Sequence, residues 1–200
     1  LLKGQKGIGK STLAYHLINF VLSKNEDFPY DIDHFRIDEK NRSFKLINNG
    51  SSPNFFLIDI QTDKKNINID QIRNIIQDLN KSSLNNKPKF ILIDNSEYLN
   101  KNSINVLLKE IEEPNDNIYF ILIQNQKTLL STLTSRFIKF NINLTNKESI
   151  FIINELINKD IHNSVNSNFI NYYFSPGNIY RLMEFCDENN IDLKNIELKD

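Results

Sequence analysis

One short segment restricts the fold of this chain more than any other. Residues 4–11 read G-Q-K-G-I-G-K-S, which fits G-x-x-x-x-G-K-[ST], a phosphate-binding loop found between a buried strand and a helix. The glycines at positions 4, 7 and 9 (Gly4, Gly7 and Gly9) let backbone N–H groups turn inward around phosphates. The chain has only 5 glycines, so three of them within nine residues is a strong bias. The motif therefore predicts a P-loop α/β fold.

The residues after these glycines are candidate nucleotide ligands. Lys10 is expected to reach the outer phosphates as a point charge, and Ser11 to hold Mg²⁺. A helix that begins near Ser11 would direct its positive end at the anion, and Thr12 completes the candidate set. Two alternatives stay open. The segment could be a glycine-rich helix cap without nucleotide, or a nucleotide site that persists without a catalytic role.

Short apolar runs alternate with helical spacing along the first two thirds of the chain. Three runs are unbroken, at residues 55–58, 90–93 and 119–123, and a fourth spans 137–140. Unbroken runs are typical of strands that are covered on both faces of a parallel sheet. Apolar residues with helical spacing lie between them, as in the series at positions 13, 17, 20 and 21 near the start of the chain. The pattern predicts a five-stranded parallel sheet with helices on both faces and right-handed crossovers.

The pattern divides the chain into unequal parts. We expect a P-loop nucleotide-binding domain over residues 1–142, a three-helix lid over 143–190, and a linker toward an absent helical collar domain over 191–200. Residues 24–54 show weak periodicity and are expected to form an extended excursion. The chain begins with an apolar pair rather than Met, so we expect its N-terminus to be missing.

Two strand runs end in an acidic residue, which is where a P-loop protein places its Mg²⁺ ligand. Asp94 follows the run at 90–93, and Asp59 follows the run at 55–58 as a rival. The residue after Asp94 is Asn95, whose amide cannot act as a general base. Glu97 is expected to point elsewhere. Either aspartate could instead cap the next helix.

Composition excludes several classes of protein. No apolar run approaches the length of a membrane span. The single cysteine, Cys186, excludes an internal disulfide and a four-cysteine zinc site, and fits a reducing cytoplasm. The formal net charge of -1 argues against nucleic-acid binding by bulk electrostatics. The 14 phenylalanines are interpreted as core residues rather than base-stacking platforms.

The stretch at residues 105–114, N-V-L-L-K-E-I-E-E-P, resembles a helix and turn of bacterial clamp-loader subunits of the AAA+ class. The S-R-F at residues 135–137 resembles the Ser-Arg-Cys motif of that family, with Phe in place of Cys. Residues 120–130 occupy the place of its sensor-1 strand and loop, and 69–73 resemble the segment after its second strand. A short helix is expected at 127–133, before the S-R-F. The resemblance extends from residue 1 to about residue 182 and implies a RecA-like AAA+ fold.

This resemblance assigns roles to individual residues. It puts Asp94 at the Mg²⁺-binding position and makes Arg136 a candidate arginine finger that acts in trans on a neighbouring subunit. A plain surface salt bridge is the alternative for Arg136. Core packing is the simplest interpretation of Leu107, Leu108 and Ile111.

The hydrolysis machinery departs from the motor subunits of the family. Asn95 replaces the glutamate of their acidic strand end, and Gln124 and Asn125 replace the paired threonines of sensor 1. In the lid, Tyr180 stands where the sensor-2 arginine is expected, and Arg181 lies about 100° around the helix. An intact Ser-Arg element beside these changes is the pattern of the delta-prime family, which resembles a stator.

The resemblance also implies partners and cofactors. Delta-prime subunits assemble with gamma/tau and delta subunits, and the loader places a sliding clamp on primed DNA. ATP and Mg²⁺ are candidate cofactors, and whether they bind stays open, as does the substitution of Arg181 for sensor 2. The alternative is a catalytically active motor of gamma/tau type or another AAA+ ATPase. An unrelated P-loop enzyme such as a nucleotide kinase is disfavoured by the E-E-P turn and the Ser-Arg element.

Overall fold

The computed structural model describes residues 1–79, 85–113, 116–125, 128–173 and 175–196. It divides into two compact units. The first unit comprises Leu1–Lys3 and Lys10–Phe140, and the second comprises Gly4–Gly9 and Asn141–Asp200. The six residues of the glycine loop therefore group with the C-terminal part of the chain. Within the described residues, no helix is both long and apolar enough to span a membrane.

The described residues form five strands, nine α-helices and one 3-10 helix at Ser96–Tyr98. The strands are β1 (Leu2–Lys3), β2 (Phe55–Ile58), β3 (Lys89–Ile93), β4 (Ile118–Gln124) and β5 (Phe140–Asn141). The helices of the first unit are α1 (Lys10–Leu22), α2 (Arg42–Asn48), α3 (Ile69–Leu79), α4 (Lys101–Glu112) and α5 (Ser131–Thr134). Those of the second are α6 (Asn146–Ile157), α7 (Ile161–Ser164), α8 (Ser167–Tyr173) and α9 (Pro176–Glu188).

The strands form one sheet in the order β2-β3-β4-β1-β5. The β2–β3, β3–β4 and β1–β4 pairs are parallel, and Phe90 lies opposite both Phe55 and Tyr119. All five residues of β3 are buried, because helices cover the sheet on both faces. The predicted five-stranded α/β sheet is confirmed, and the three unbroken apolar runs are strands β2, β3 and β4.

Helices α3 and α4 pack on one face of the sheet. Ile72 and Leu79 of α3 join Ile104 and Leu107 of α4 in the larger core cluster. Leu108 and Ile111, which are partly buried, pack against the same cluster. The core interpretation of the apolar positions in α4 is therefore confirmed.

Helix α1 presents an unexpected face to the sheet. Its buried residues include Ala14, Ile18 and Leu22, which join a second cluster with Phe90 and Leu92 of β3. Of the predicted apolar series at positions 13, 17, 20 and 21, the first three residues are 41 to 50% exposed, and Val21 packs partly buried against this cluster. Helical spacing thus identified the helix correctly but not its buried face, because two apolar stripes run along it.

The second unit has its own small core. Ile153, Ile161, Phe169 and Ile179 contribute one residue from each of its four helices. Helix α6 begins with a capping box in which Thr145 and Glu148 satisfy each other's backbone N–H groups. Four helical segments are described here where three were predicted, since a turn at residues 165–166 separates α7 from α8.

Three further expectations need correction. The stretch at 24–54 contains helix α2, which Asn41 caps by accepting a hydrogen bond from the N–H of Phe44 at 2.7 Å. The short helix expected at 127–133 is α5, Ser131–Thr134, and residue 127 lies outside the described residues. The interpretation of the phenylalanines as core residues is wrong for several of them. Exposed examples are Phe20, Phe28, Phe35, Phe140, Phe151 and Phe185.

Candidate functional site

Polar residues gather where three neighbouring strands end. Asp59 follows β2, Asp94 and Asn95 follow β3, and Asn125 follows β4. Because these strands are parallel and adjacent, their carboxyl ends share one edge of the sheet, where α/β proteins usually bind ligands. Together with Ser11 of α1, these four residues form what we call the strand-end cluster. All of it belongs to the first unit.

Ser11 and Asp94 meet within this cluster. The hydroxyl of Ser11 donates a hydrogen bond to Oδ2 of Asp94 at 2.6 Å, across 83 residues of sequence. The other oxygen, Oδ1, accepts the backbone N–H of Asn95 at 2.7 Å. A hydroxyl and a carboxylate this close suit Mg²⁺, which prefers oxygen ligands and retains several waters. The two residues therefore fit the metal that the sequence motif implies, with no third acidic ligand required.

Asn95 bridges the ends of two flanking strands. Its side-chain amide nitrogen donates to Oδ1 of Asp59 at 2.7 Å, and its carbonyl oxygen accepts from the amide of Asn125 at 3.0 Å. Its backbone is left-handed, with φ 50°, a conformation that Asn tolerates better than most residues. Asn95 is thus held by its backbone and by both ends of its side chain.

Glu97 and Lys10 complete the polar surroundings. The carboxylate oxygens of Glu97 each lie 3.2 Å from the backbone nitrogen of Asn125, which donates to them. Burial lowers the pKa of Lys10, while the charges of Asp94 and Glu97 oppose this by favouring its ammonium form. Thr12 is exposed. The structure therefore brings two candidate ligands of the first unit, Ser11 and Asp94, into contact. Asp94 is also close enough for its charge to affect the pKa of Lys10, whereas Thr12 lies at the surface.

The glycine loop packs closely against helix α9 within the second unit. Gly7 and Gly9 have φ angles of 85° and 92°, which explains the need for glycine. The N–H of Gly177 donates to the carbonyl of Gly7 at 2.8 Å, and a Cβ on Gly7 would lie 2.4 Å from Oγ of Ser175. A Cβ on Gly4 would lie 2.2 Å from the carbonyl oxygen of Ile142. Close backbone approach is thus a second reason for these glycines, which the motif alone does not reveal.

Arg136 lies at the surface of the first unit, just after α5. Its Nη1 donates to the carbonyl of Thr132 at 2.6 Å, and its Nη2 donates to Oε1 of Glu112 at the end of α4. The side chains of Arg136 and Glu112 are 36% and 49% exposed. The Ser-Arg motif points to Arg136 but not to Glu112, since 24 residues separate them and no local spacing links them.

The two residues at the expected sensor-2 position lie on α9. Tyr180 and Arg181 are both exposed. The charge of Glu184 and a hydrogen bond to it raise the pKa of the Tyr180 phenol. Cys186 is buried in the same unit, and burial raises the pKa of its thiol, as expected for an inert cysteine. Among the described residues, no group of three or more His, Cys, Asp or Glu side chains could hold a metal ion.

Comparison with known proteins adds to this geometry. Residues 1–146 match the family described as DNA polymerase III, delta subunit. The delta-prime subunit of Pseudomonas aeruginosa is 29% identical over 137 residues, which cover 68% of this chain and 40% of that protein. The delta-prime subunit of Buchnera aphidicola subsp. Baizongia pistaciae is 30% identical over 155 residues, covering 74% and 45%.

A gamma subunit and a solved structure are also similar. The DNA polymerase III gamma subunit of Buchnera aphidicola subsp. Schizaphis graminum is 28% identical over 204 residues, covering 98% of this chain and 54% of that protein. A mutant of Thermotoga maritima RuvB superposes with a TM-score of 0.51 at 20% identity, covering 97% of this chain and 57% of RuvB. This last likeness concerns the fold alone, and it agrees with the RecA-like fold expected from the sequence.

These matches have a common limit in length. The chain spans between 40 and 54% of each of the three DNA polymerase III subunits. The match at residues 1–146 nevertheless includes the strand-end cluster and Arg136, and it extends over well more than half of the chain. This chain therefore belongs to the DNA polymerase III delta-subunit family, together with the delta-prime subunits that it resembles.

Proposed function

We propose that this chain acts as a delta-prime subunit of a DNA polymerase III clamp loader, with little or no ATPase activity of its own. Its partners are the gamma/tau and delta subunits, and the assembled loader places a sliding clamp on primed DNA. The observation that carries the proposal is the state of Asn95, which stands where a motor subunit needs a carboxylate and is hydrogen bonded at both ends of its side chain.

The side chain of Asn95 lacks the basicity that ATP hydrolysis needs at this position. An amide does not accept a proton near neutral pH, so Asn95 cannot activate an attacking water as a general base. Its partners, Asp59 and Asn125, hold it in place as a bridge between strand ends. The next carboxylate along the chain, that of Glu97, accepts the backbone N–H of Asn125. This arrangement supports a site that holds its ligand without hydrolysing it.

The residues expected to bind the phosphates and the metal of ATP are present in this chain. Lys10 is buried, and Ser11 and Asp94 fit Mg²⁺ through their neighbouring oxygens. These residues would hold the phosphates and the metal of ATP. Binding energy at such a site can order a subunit and its interfaces even where no bond is broken. We therefore propose a structural role for nucleotide in this chain.

Arg136 is the residue through which this chain would take part in ATP hydrolysis by the loader. Its guanidinium is exposed and is held by Thr132 and Glu112 rather than by the strand-end cluster. A planar, permanently charged guanidinium suits a phosphoryl group better than an ammonium does. We propose that Arg136 completes the ATP site of a neighbouring motor subunit and stabilises charge on the transferred phosphoryl group.

A gamma-type motor is the second candidate. The complete P-loop motif, the Ser11–Asp94 contact and the gamma relative that aligns with 98% of the chain all favour it. The measurement that separates the two candidates is ATP turnover by the isolated chain. We expect less than about 1 s⁻¹, the low end for ordinary enzymes. A higher rate would favour the motor.

The trans role is tested in the reconstituted loader. We expect Arg136→Ala to slow DNA-stimulated ATP hydrolysis, because an arginine finger contributes about 10³ to 10⁵ in rate at the site it serves. The loader as a whole would lose less, since other sites keep their own fingers. Arg73→Ala is the matched control, because Arg73 is also exposed and also pairs with a carboxylate, that of Asp70 at 3.7 Å. Equal rates for Arg136→Ala and wild type would show that Arg136 is only a surface ion pair.

A further inference from the structure

The guanidinium of Arg136 is fixed from two directions. Its Nη1 donates to the carbonyl of Thr132, one turn earlier, and its Nη2 donates to the carboxylate of Glu112 on α4. A guanidinium has five N–H donors in a rigid planar fork. Two are engaged by these contacts within the described part of the chain. The other three, which no described residue engages, can donate to the oxygens of a phosphate.

Glu112 occupies an unusual position for a carboxylate. It is the last residue of α4, and the C-terminal end of a helix carries partial negative charge. A second negative charge is unfavourable there unless a cation compensates for it. Lys109 lies in the last turn of the same helix, and Arg136 adds a cation in direct contact with Glu112 from a segment 24 residues along the chain.

The helix that carries Glu112 is itself well anchored. Leu107 is 1% exposed, and Leu108 and Ile111 pack against the core of the first unit. The position of Glu112 at the end of this helix is therefore determined by core packing rather than by a loop. A carboxylate on such a support can hold a long, mobile side chain in one orientation.

The exposure of the pair argues against a role in stability. Both side chains are more than a third exposed, and ion pairs of this kind contribute little to folding. An unrestrained arginine, by contrast, samples many rotamers and loses that freedom when it binds a phosphate. Contacts that restrict it beforehand reduce this cost at the moment of reaction.

We propose that Glu112 is a positioning residue for Arg136, which it holds in the orientation that reaches the nucleotide of a neighbouring subunit. The inference rests on the proposed trans role of Arg136 and names the residue that prepares it. Glu112 does not touch the reacting atoms. Its effect is expected on the rate of the chemical step rather than on the affinity of the motor for ATP.

The experiment measures DNA-stimulated ATPase of the reconstituted loader with Glu112→Ala and Glu112→Gln. We expect Glu112→Ala to lower kcat about 10-fold at the served site, because small misplacements of catalytic groups cost one to two powers of ten in rate. KM for ATP should stay unchanged. Glu112→Gln keeps an acceptor oxygen and should retain more than half of kcat. Glu113→Ala is the control, since Glu113 is the adjacent exposed carboxylate.

A double variant separates positioning from structure. In the Arg136→Ala background, Glu112→Ala should cause no further loss, because the group that it positions is gone. A further loss there would mean that Glu112 acts on the fold and would overturn the inference. Wild-type or faster rates for Glu112→Ala alone would also overturn it, and faster rates would indicate that Glu112 restrains Arg136 instead. If Arg136→Ala itself has no effect, the proposed trans role fails, which is a different result.

Discussion

The strand-end cluster and the Arg136–Glu112 pair carry the two proposed functions of the first unit, and they are built in opposite ways. In the cluster, Asn95 is only partly exposed, sits in a left-handed backbone and makes two side-chain hydrogen bonds to flanking strands. Arg136 instead lies at the surface beside a carboxylate that is 49% exposed. The side chain of Asn95 is hydrogen bonded within its own chain at both ends, whereas Arg136 has N–H donors that no described residue engages and that a neighbouring subunit can bind.

This difference separates stability from function. A residue that bridges the ends of several strands should affect stability strongly, because its removal leaves partly buried polar groups without a hydrogen-bond partner. An exposed ion pair should affect folding little, whatever its role in an assembly. Substitutions in the strand-end cluster should therefore lower the free energy of unfolding more than substitutions at Arg136 or Glu112. The opposite order is expected for their effect on ATP hydrolysis by a reconstituted loader.

The largest effect on stability is expected from Asn95→Ala. It removes two hydrogen bonds, leaves Asp59 and Asn125 without those partners, and places Ala in a left-handed conformation. We expect the free energy of unfolding to fall by about 2–4 kcal/mol, measured by urea denaturation.

Asn117→Ala is the matched control for that change. Asn117 is exposed and also left-handed, with φ 62°, so its substitution isolates the backbone cost of about 1 kcal/mol. If the two variants lose equal stability, the side-chain hydrogen bonds of Asn95 contribute nothing to the free energy of unfolding. The strand-end cluster would then not be the more stabilising of the two regions.

A second ion pair tests the role of burial. Glu26 is only 10% exposed in its side chain and accepts from Nζ of Lys87 at 2.7 Å and from Oγ of Ser43 at 2.6 Å. Burial raises the pKa of Glu26, but the hydrogen bonds from Lys87 and Ser43 outweigh it, so the net pKa lies below the ordinary 4.5. This pair resembles the strand-end cluster rather than Arg136–Glu112.

We therefore expect Glu26→Gln to lower the free energy of unfolding by about 1.5–3 kcal/mol at pH 7. A carboxyl group with a depressed pKa stabilises the fold above its unfolded pKa and loses that contribution as pH falls through the folded pKa. The difference between variant and wild type should narrow below pH 4.5, in urea titrations from pH 7 to 3. Glu112→Gln, the exposed counterpart, should show little difference in the free energy of unfolding at pH 7. If the difference for Glu26→Gln stays constant with pH, the pairing of Glu26 with Lys87 and Ser43 is contradicted.

The sequence predicted the sheet and the residues with named motifs, but not the contacts among them. Unbroken apolar runs identified β2, β3 and β4 because a parallel sheet is buried on both faces. Strand ends identified Asp59 and Asp94 as rivals, and the structure shows instead that Asn95 contacts Asp59 while Ser11 contacts Asp94. Such pairings join distant segments and depend on strand order, which periodicity does not encode.

The sequence pattern does not predict two local features, the buried face of α1 and the close backbone contact at Gly7, and each has a physical reason. Helix α1 carries two apolar stripes, and the smaller side chain of Ala14 belongs to the buried one because close packing against the sheet leaves little room. The motif assigns Gly7 to phosphate binding alone, although its carbonyl also accepts a hydrogen bond from Gly177. A motif names the chemistry of a residue and says nothing about its neighbours in space.

The smallest effect on stability is expected from Arg136→Ala, at most about 0.5 kcal/mol in urea denaturation. Its two partners keep access to water: the carboxylate of Glu112 is half exposed, and the carbonyl of Thr132 lies in a short helix at the surface. Neither is left buried without a partner, so the usual penalty for removing one member of a pair does not arise. Arg136→Lys should also fold normally, yet it should not rescue the loader, because an ammonium lacks the planar fork. A loss of 2 kcal/mol or more for Arg136→Ala would show that this region is structural, like the strand-end cluster, and that slower loading by the variant reports unfolding rather than a missing finger.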